Sequence, residues 1–388
     1  MERHAWQEKG GSAAVLATLR NLLCLAALTF ATSCDQEPPG ALSSWNIARA
    51  ADREGELTIY ANTGQGESGP LLEAFHKAHP RITITFRGQN SADLYNQYLA
   101  DAAHHRPVAD LVWSSAMDLQ IKLINDGFAQ TYVPKAKKFL PTWAVWKNQG
   151  FGVTAEPIAF IFDKRRINPL DAPASHAQLR RFIEAGKMPG PVGTFDPERS
   201  GVGFLYYSQD RLAWADTIAL NRAIGSTSPN LYESTMTLID GINAGDTVFG
   251  YNVIGSYALE RQRESPNLAV VFPTDYTLVM SRIIFISAAA PHPNAAKVFL
   301  DFILSREGQT LLAKQYLMPV RTDMAHAGVL GPESKVVWPI EVGPALLANL
   351  DQMRRTRLIM EWSQAIGPKR KDDFRRAPRD SIMTGGPP

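Results

Sequence analysis

The chain has 388 residues, more than one compact core usually contains, so we expect at least two domains. Apolar residues make up 45% and charged residues 20% of the sequence, as in globular proteins that fold without metals or disulfides. The formal net charge is +2, and the basic residues cluster between Arg354 and Arg379, which disfavours a nucleic-acid-binding body and indicates a solvated basic tail.

The chain begins with a leader segment. Asn21 to Ala31 is an apolar run, preceded by basic residues and followed by small residues up to Cys34. The run is too short to span a bilayer and is typical of a secretory signal peptide, which we assign to residues 1–33. Ala31 to Cys34 resembles a bacterial lipoprotein processing site, although that pattern usually has Leu first, so lipidation of Cys34 and ordinary cleavage both stay open. The other cysteine is Cys24, which leaves no disulfide framework or cysteine metal site downstream.

Residues 34–55 are predicted to be a polar tether between this leader and the first strand. No later segment has the roughly 20 apolar residues that a membrane helix needs. We therefore expect a periplasmic or otherwise extracytoplasmic protein, attached to the membrane only if Cys34 carries a lipid.

Strands and helices are predicted to alternate from Glu56 onward. In chain order these elements are Leu57–Tyr60, Gly69–His79, Ile82–Phe86, Ala92–His104, Ala109–Trp113 and Met117–Asn125, beginning with a strand. This spacing favours parallel crossovers, in which ligands collect at the carboxyl ends of the strands. The loop at residues 62–68 and the pair Ser114-Ser115 are therefore expected at one rim of the sheet.

Proline 157 interrupts the β-rich stretch Phe151–Phe162, and this break is interpreted as a bend where the chain leaves the first lobe. The second lobe is predicted at residues 157–267, and the first lobe at 56–156 together with 268–366. Two crossings between lobes imply a hinge. The elements predicted for the second lobe are helices at Ser175–Ala185 and Arg211–Ile224, strands at Pro191–Phe195 and Val248–Asn252, and a helix after Gly255.

The end of the chain is predicted to return to the first lobe. After the strands Leu268–Phe272 and Met280–Ile286 and a helix at Pro293–Leu304, a last helix at Pro344–Ala365 is expected to pack on that lobe. Residues 367–388 are expected to be a disordered basic tail.

Four segments resemble a known family: Ala109–Leu119, Thr154–Lys164, Phe272–Ile286 and Ala290–Gln309. They are similar to ABC-transporter substrate-binding proteins of the iron-binding-protein-like branch, which has ferric-iron, sugar-phosphate, phosphonate and phosphoglycerate-related members. The resemblance covers about Leu57 to Ala365 and implies an α/β, two-lobed type 2 periplasmic-binding fold with a C-terminal helical extension. It also implies a monomeric protein that captures a small solute and delivers it to a permease, with no cofactor.

Iron is the second hypothesis for the ligand. Ferric-iron members of the branch hold the metal with two adjacent tyrosines in the second lobe, and the matching place here is Tyr257-Ala258, where one phenolate is missing. Residues 62–68 contain no histidine either. Tyr206-Tyr207 is an adjacent pair elsewhere in the lobe, and packing is the preferred interpretation.

Loops with small residues at predicted helix starts form the candidate site, because free backbone N–H groups and the helix dipole favour negative charge there. A phosphorylated, phosphonate or carboxylate metabolite fits these loops equally. The candidate contacts are Thr63, Gly64, Ser68, Ser114, Ser115, Thr194, Ser200, Gly201, Ser256, Tyr257, Asp275 and Tyr276. The alternatives are helix capping for the serines, and hinge packing or hydrogen bonding for Asp275 and Tyr276. Glu156 could bind a ligand amine or brace the hinge, and the brace is the preferred interpretation. Arg282, amid apolar residues, needs a partner, which is either a ligand carboxylate or phosphate or an acidic residue, Asp301 or another.

Two other functional classes remain to be weighed. An enzyme is disfavoured because the sequence contains no HExxH, GxSxG or GxxxxGK[ST] motif and no activated nucleophile arrangement. A sensor whose liganded form contacts a membrane kinase would use the same cleft, so that alternative to a permease partner stays open. No metal or nucleic-acid partner is expected.

Overall fold

The computed structural model describes residues 44–104, 108–324 and 337–368. The chain divides into two compact units, residues 1–46 and 47–388, and both sheets belong to the second. The predicted signal peptide, Cys34 and the predicted tail from residue 369 lie outside the described residues. Within the predicted tether, Ser44–Glu54 forms helix α1. Across the described ranges, no helix is long and apolar enough to cross a membrane.

The first lobe is built on a six-stranded sheet. Its elements before the first crossing are β1 (Glu56–Ala61), α2 (Gln65–Ala78), β2 (Thr83–Gly88), α3 (Ser91–Ala103), β3 (Leu111–Ser114), α4 (Met117–Asn125), β4 (Val145–Trp146) and β5 (Gly150–Gly152), with 3-10 turns at Lys137–Phe139 and Thr142–Ala144. The strand order is β2-β1-β3-β12-β5-β4, where β12 (Ile283–Ile286) comes from later in the chain. Because β1 pairs in parallel with both β2 and β3, the predicted parallel crossovers are present.

The second lobe is built on a seven-stranded sheet. Its elements are β6 (Glu156–Asp163), α5 (His176–Glu184), β7 (Val192–Phe195), α6 (Gly201–Ala213), α7 (Thr217–Ser226), β8 (Asn230–Tyr232), α8 (Thr235–Ala244), β9 (Phe249–Ile254), α9 (Gly255–Gln262), β10 (Leu268–Val271) and β11 (Thr277–Met280). The remaining elements are α10 (Pro293–Ile303), α11 (Arg306–Lys314), β13 (Val337–Pro339), a 3-10 helix (Pro344–Leu350) and α12 (Gln352–Ile366). The strand order is β13-β11-β6-β9-β7-β8, with β10 paired to β6. The predicted two-lobed α/β fold is confirmed.

Helix α10 illustrates how the sequence pattern becomes packing. Ala295, Phe299 and Ile303 recur every four residues, which places them on one face of the helix, and all are buried. The ring of Phe299 meets Phe75 of α2 edge to face, 5.0 Å between centroids. Glu54 accepts hydrogen bonds from the backbone N–H of Ala295, and this carboxylate satisfies the start of the helix.

Two adjacent segments join consecutive strands of the two sheets directly: residues 153–155 join β5 to β6, and residues 281–282 join β11 to β12. We call these two segments the hinge. They are hydrogen-bonded to each other, since Val153 N donates to Arg282 O at 2.9 Å and Arg282 N donates to Thr154 Oγ1 at 2.9 Å. The first crossing lies just before Pro157, which is the second residue of β6.

The predicted return of the chain at residue 268 is wrong. Strand β10 pairs antiparallel with β6 in the second sheet, and β11 does the same, so the chain returns to the first sheet only at residues 281–282. The run Met280–Ile286 reads as one strand because every residue near the crossing is buried, which hides the change of sheet. Likewise, the predicted helix Arg211–Ile224 is two helices, because α6 ends at Ala213 and α7 begins at Thr217.

The predicted packing of the last helix is also wrong in part. Asp351 caps a new helix by accepting a hydrogen bond from Arg354 N, so the predicted helix is divided into a 3-10 helix and α12. The 3-10 helix packs on α4 of the first lobe, as expected, whereas α12 packs on α7 of the second lobe. Leu358, Trp362 and Ile366 of α12 belong to the second-lobe core.

Helices α7 and α12 approach closely at Gly225. A methyl group added there would lie 2.5 Å from the carbonyl oxygen of Ile366 and 2.9 Å from that of Ala365, both backbone atoms that cannot move easily. We expect Gly225→Ala to lower the free energy of unfolding by about 1–3 kcal/mol in urea titration, because the added group overpacks this contact. Gly69→Ala in α2 is the control, since no atom lies within 4 Å of its added methyl. An unchanged Gly225→Ala variant would show that α12 does not dock at this point.

Candidate functional site

Asn62 holds two loops of the first lobe together. Its Nδ2 donates to Ser91 Oγ and to Ser115 Oγ, both at 2.7 Å, and its Oδ1 accepts from Ser115 N at 2.9 Å. The loops after β1 and β3 therefore share one rim of the sheet, as the strand order predicts. Ser114 Oγ instead accepts from Ala116 N at 3.1 Å and fixes the turn into α4.

The start of α2 differs from an open anion site. Gly64 is the N-cap residue, and the buried Ser68 donates its hydroxyl to Gly64 O at 2.8 Å, so this hydroxyl is used inside the helix. The carboxylate of Glu67 lies against Gly64, where it would collide with any added methyl group. A negative charge from the chain itself thus stands at the helix start that the sequence assigned to a ligand.

A buried ion pair lies at the hinge. Arg282 is 1% exposed and Glu156 is fully buried. Arg282 Nε donates to Glu156 Oε1 at 2.9 Å, and Nη2 donates to Oε2 at 3.2 Å, which is a bidentate arrangement. Burial by itself lowers the pKa of Arg282, but the charge of Glu156 raises it overall, so the guanidinium stays charged. Arg282 thus has an acidic partner, as predicted, but this partner is Glu156 and not Asp301, which accepts from Tyr132 and Lys135.

Arg282 also contacts residues of both lobes. Its Nη1 donates to Thr63 Oγ1 at 3.3 Å in the first lobe, and its Nη2 donates to the hydroxyl of Tyr257 at 3.1 Å in the second. Glu156 in turn accepts from Ser256 Oγ at 2.8 Å and from Thr154 Oγ1 at 2.9 Å. We call these six residues the hinge cluster: Thr63, Thr154, Glu156, Ser256, Tyr257 and Arg282. Three of them are predicted ligand contacts, and two more were singled out at the hinge.

The loop before α6 makes its own contacts on the second lobe. Ser200 accepts from Gly203 N at 3.2 Å and caps the helix, Thr194 is buried beside it, and Gly201 is exposed. This loop contacts Arg355 of α12, which donates to Pro197 O at 3.3 Å. Burial raises the pKa of Asp118 at the start of α4, and the charge of Arg355 lowers it in part. Arg355 therefore lies near both the α6 loop of one lobe and the α4 start of the other.

Asp275 and Tyr276 are not part of the hinge cluster. Asp275 lies at the start of α5, where its Oδ1 is 2.8 Å from His176 Nδ1 and accepts from His176 N at 3.2 Å. Tyr276 stacks on the His176 ring at 3.9 Å and donates its hydroxyl to Asp210 Oδ1 at 2.7 Å. Both residues organise the interior of the second lobe, so the structural alternatives given for them describe their contacts.

The tyrosine pair on α6 has no shared site. Tyr206 donates its hydroxyl to Met280 Sδ at 2.9 Å in the interior, whereas Tyr207 donates to Glu361 of α12 at 2.6 Å. Their side chains thus meet different elements, which fits packing. In the part of the chain that the structure describes, no group of three or more His, Cys, Asp or Glu residues could hold a metal ion.

Sequence reasoning missed Asn62 as an organiser, Thr154 in the hinge cluster, and Arg355. Asn62 directly follows a strand, and an amide there is a usable signal for a link between loops. Arg355 carries no comparable signal, because its role depends on where a distant helix docks.

Comparison with known proteins gives the family. Residues 71–335 match the family model of a bacterial extracellular solute-binding protein. The crystal structure of the substrate binding protein of an ABC transporter from Agrobacterium tumefaciens is 33% identical, with 80% of this chain and 94% of that chain covered and a TM-score of 0.72.

Two more distant structures share the fold. Iron-bound HitA from Pseudomonas aeruginosa is 19% identical, covers 80% of this chain and 99% of its own, and has a TM-score of 0.63. The periplasmic binding protein AfuA from Actinobacillus pleuropneumoniae, with exogenous fructose-6-phosphate bound, is 19% identical. The match covers 80% of this chain and 98% of that chain, with a TM-score of 0.61. A family match over most of the chain, on two sheets joined by paired crossings, leads to one conclusion: this chain belongs to the bacterial extracellular solute-binding proteins of the ABC-transporter type.

Proposed function

We propose that this protein captures a small anionic solute between its lobes and delivers it to the permease of an ABC transporter. The observation that carries the proposal is the position of Arg282, a permanently charged group at the hinge that donates to a residue of each lobe, Thr63 and Tyr257. A guanidinium has five N–H donors, and the four bonds to Glu156, Thr63 and Tyr257 use four of them. Among the residues that the structure describes, none accepts the second Nη1 N–H, and this donor would meet a ligand oxygen.

The acid group of the ligand would bind beside Arg282. Thr63 and Tyr257 offer hydroxyls from opposite lobes, and the first turn of α9, which contains Tyr257, adds backbone N–H donors. Burial raises the pKa of Tyr257, although Arg282 lowers it in part, so its hydroxyl remains a donor at neutral pH. A ligand that bridges these groups binds only when the lobes are together, which shifts the protein toward the closed state.

The charges nearby favour a singly charged acid group. Glu156 already neutralises Arg282, and Glu67 at the start of α2 adds a negative charge whose field reaches Tyr257. A carboxylate or a monoanionic phosphonate is therefore a better fit than a phosphate dianion, since like charges repel strongly in a poorly solvated site.

A thermal-shift panel tests the ligand class: acetate, citrate, methylphosphonate, inorganic phosphate, fructose 6-phosphate and ferric citrate. A ligand at 100 times its Kd stabilises the folded chain by about 2.7 kcal/mol, which is readily visible. We expect stabilisation by at least one singly charged acid, with a smaller radius of gyration in X-ray scattering. Binding of ferric ion alone would contradict the proposal and favour the iron alternative.

Thr63→Val and Tyr257→Phe are each expected to weaken binding of the acid found in the panel by about tenfold, because each removes one hydrogen bond at the hinge cluster, roughly 1.4 kcal/mol. Ser68→Ala is the matched control, since Ser68 lies in the first turn of α2, five residues after Thr63, and its hydroxyl bonds only to Gly64 O at the start of its own helix. Isothermal titration calorimetry measures the three affinities. Equal losses in all three variants would place the ligand elsewhere.

The partner and the anchor belong to the same proposal. Pull-down of the liganded protein with permease or with the outer domain of a sensor kinase distinguishes the two partner classes.

If the protein is exported with a lipid on Cys34, the mature chain begins at Cys34 and its mass includes the acyl chains. A mature protein whose measured mass includes no acyl chains would show that the signal peptide is removed by ordinary cleavage without lipidation.

A further inference from the structure

The C-terminal segment, residues 337–366, contacts both lobes, although the two hinge segments already connect them. Residues 337–366 lie beyond the span 71–335 that matches the family model. The segment begins in the second lobe, where β13 pairs in parallel with β11 and Ile340 N donates to Val279 O at 2.8 Å. Because β12 before it lies in the first sheet, the chain here enters the second sheet for a second time.

The segment then attaches to the first lobe. Val342 N donates to Trp143 O at 2.7 Å, and the 3-10 helix Pro344–Leu350 packs against α4. Leu346 of this helix is 2% exposed. A buried leucine of this kind contributes about 2–5 kcal/mol to packing, so the attachment to the first lobe is a firm one.

The segment finally returns to the second lobe. Helix α12 packs on α7, with Trp362 2% exposed in the second-lobe core. Glu361 accepts from Tyr207 and from Arg211 Nε, each at 2.6 Å, which ties the same helix to α6. The second attachment therefore has both an apolar and a charged part.

Arg355 joins these attachments where the lobes face each other. Its guanidinium lies 4.2 Å from the ring centre of Phe204 and donates to Pro197 O, both in the second lobe. Its charge also acts on the buried Asp118 of α4 in the first lobe. Separation of the lobes would move Asp118 away from this cation and leave a buried carboxylate with less compensation.

We propose that residues 344–366 form a strap that holds the two lobes together independently of the hinge. Residues 340–343 lead into the strap beside Val279, next to the hinge crossing at residues 281–282. The two crossings permit rotation, whereas the strap is attached to both lobes and must release one attachment before they separate. The strap thus sets how often the unliganded protein opens, whatever solute the cleft binds.

Release of either end tests the strap. In the full chain with Cys24 and Cys34 replaced by serine, spin labels at Lys77→Cys on α2 and Glu184→Cys on α5 report the distance between the lobes without ligand. Both positions are exposed. Leu346→Ala loosens the attachment of the 3-10 helix to the first lobe, and Trp362→Ala loosens the attachment of α12 to the second lobe, while β13 stays paired with β11. In each variant we expect the population at longer distances to rise at least about fivefold.

The double variant Leu346→Ala with Trp362→Ala tests the strap more strictly than either single variant. A strap acts only while both ends are held, so the double variant should open no further than either single variant, which is a non-additive result. Met353→Ala and Met360→Ala on the exposed face of α12, 84% and 56% exposed, are matched controls and should leave the distance unchanged. Unchanged distances in both single variants, or additive shifts, would overturn the proposal. If Trp362→Ala fails to fold, Arg355→Ala and Leu346→Ala decide by the same readout.

Discussion

Arg282→Met is expected to lower the free energy of unfolding by about 3–5 kcal/mol, measured by urea denaturation. The variant leaves Glu156, which is fully buried, without its cation in a site where water cannot replace it. Glu156 would keep hydrogen bonds from Thr154 and Ser256, but these offset only part of the lost pairing.

The double variant Arg282→Met with Glu156→Leu separates stability from binding. Removing both charges eliminates the uncompensated ion, so we expect most of the stability to return, since buried pairs replaced by apolar residues are often neutral or more stable. Binding of the acid found in the ligand panel should stay lost, because the guanidinium N–H proposed to donate to the acid group is gone.

Arg180→Met is the matched control for this experiment. Arg180 is 27% exposed and pairs with Glu184 and Asp216, each 53% exposed, so its removal should change the free energy of unfolding by at most about 1 kcal/mol. An equally small effect of Arg282→Met would mean that the hinge pair is open to solvent and cannot anchor a ligand as proposed.

Asp210→Ala is expected to destabilise the second lobe by at least about 3 kcal/mol. Asp210 is 1% exposed and accepts from Tyr251 at 2.8 Å, Asn252 at 2.5 Å and Tyr276 at 2.7 Å. Alanine leaves these three donors buried without an acceptor, at about 1–3 kcal/mol each. Tyr276→Phe removes one donor only and should lose roughly 1 kcal/mol in the same urea titration. Similar losses for the two variants would show that the network relaxes around the cavity.

The same residue predicts a pH dependence. Burial raises the pKa of Asp210, although the charge of His176 and the three hydrogen bonds lower it in part. The folded chain thus holds this proton more tightly than the unfolded chain, so the resulting stability is present below the ordinary pKa of about 3.9 and is lost as pH rises through the raised value. Relative to Asp210→Asn, which cannot ionise, the wild type should lose stability as pH increases from about 4. A constant difference across this range would contradict the assignment.

Much of the fold follows from local patterns. Helix α4 begins and ends where the sequence predicts, and β1, α3, β7 and α10 lie within one or two residues of their predicted bounds. Apolar periodicity and capping residues determine such elements, because both act over a few residues. Sequence reasoning failed where a buried run changes sheet, at residues 281–282, since burial on both sides of the crossing gives one unbroken apolar pattern.

Only part of the candidate site follows from the sequence. Thr63, Ser256 and Tyr257 follow strand ends, so the rule for parallel sheets finds them. Asp275 and Tyr276 have the same local signal, yet they contact His176 and Asp210 inside the second lobe. Residue type and position along a strand cannot separate these cases, because side-chain partners come from distant parts of the chain.

The sequence by itself determined the fold class, the family resemblance, the extracytoplasmic expectation and most of the elements, since these depend on composition, periodicity and short motifs. Only the tertiary structure decided that Glu156, and not Asp301, pairs with Arg282, and that α12 docks on the second lobe. Both outcomes depend on which buried surfaces and charges can be satisfied together, which is a property of the whole packed chain and not of any segment in it.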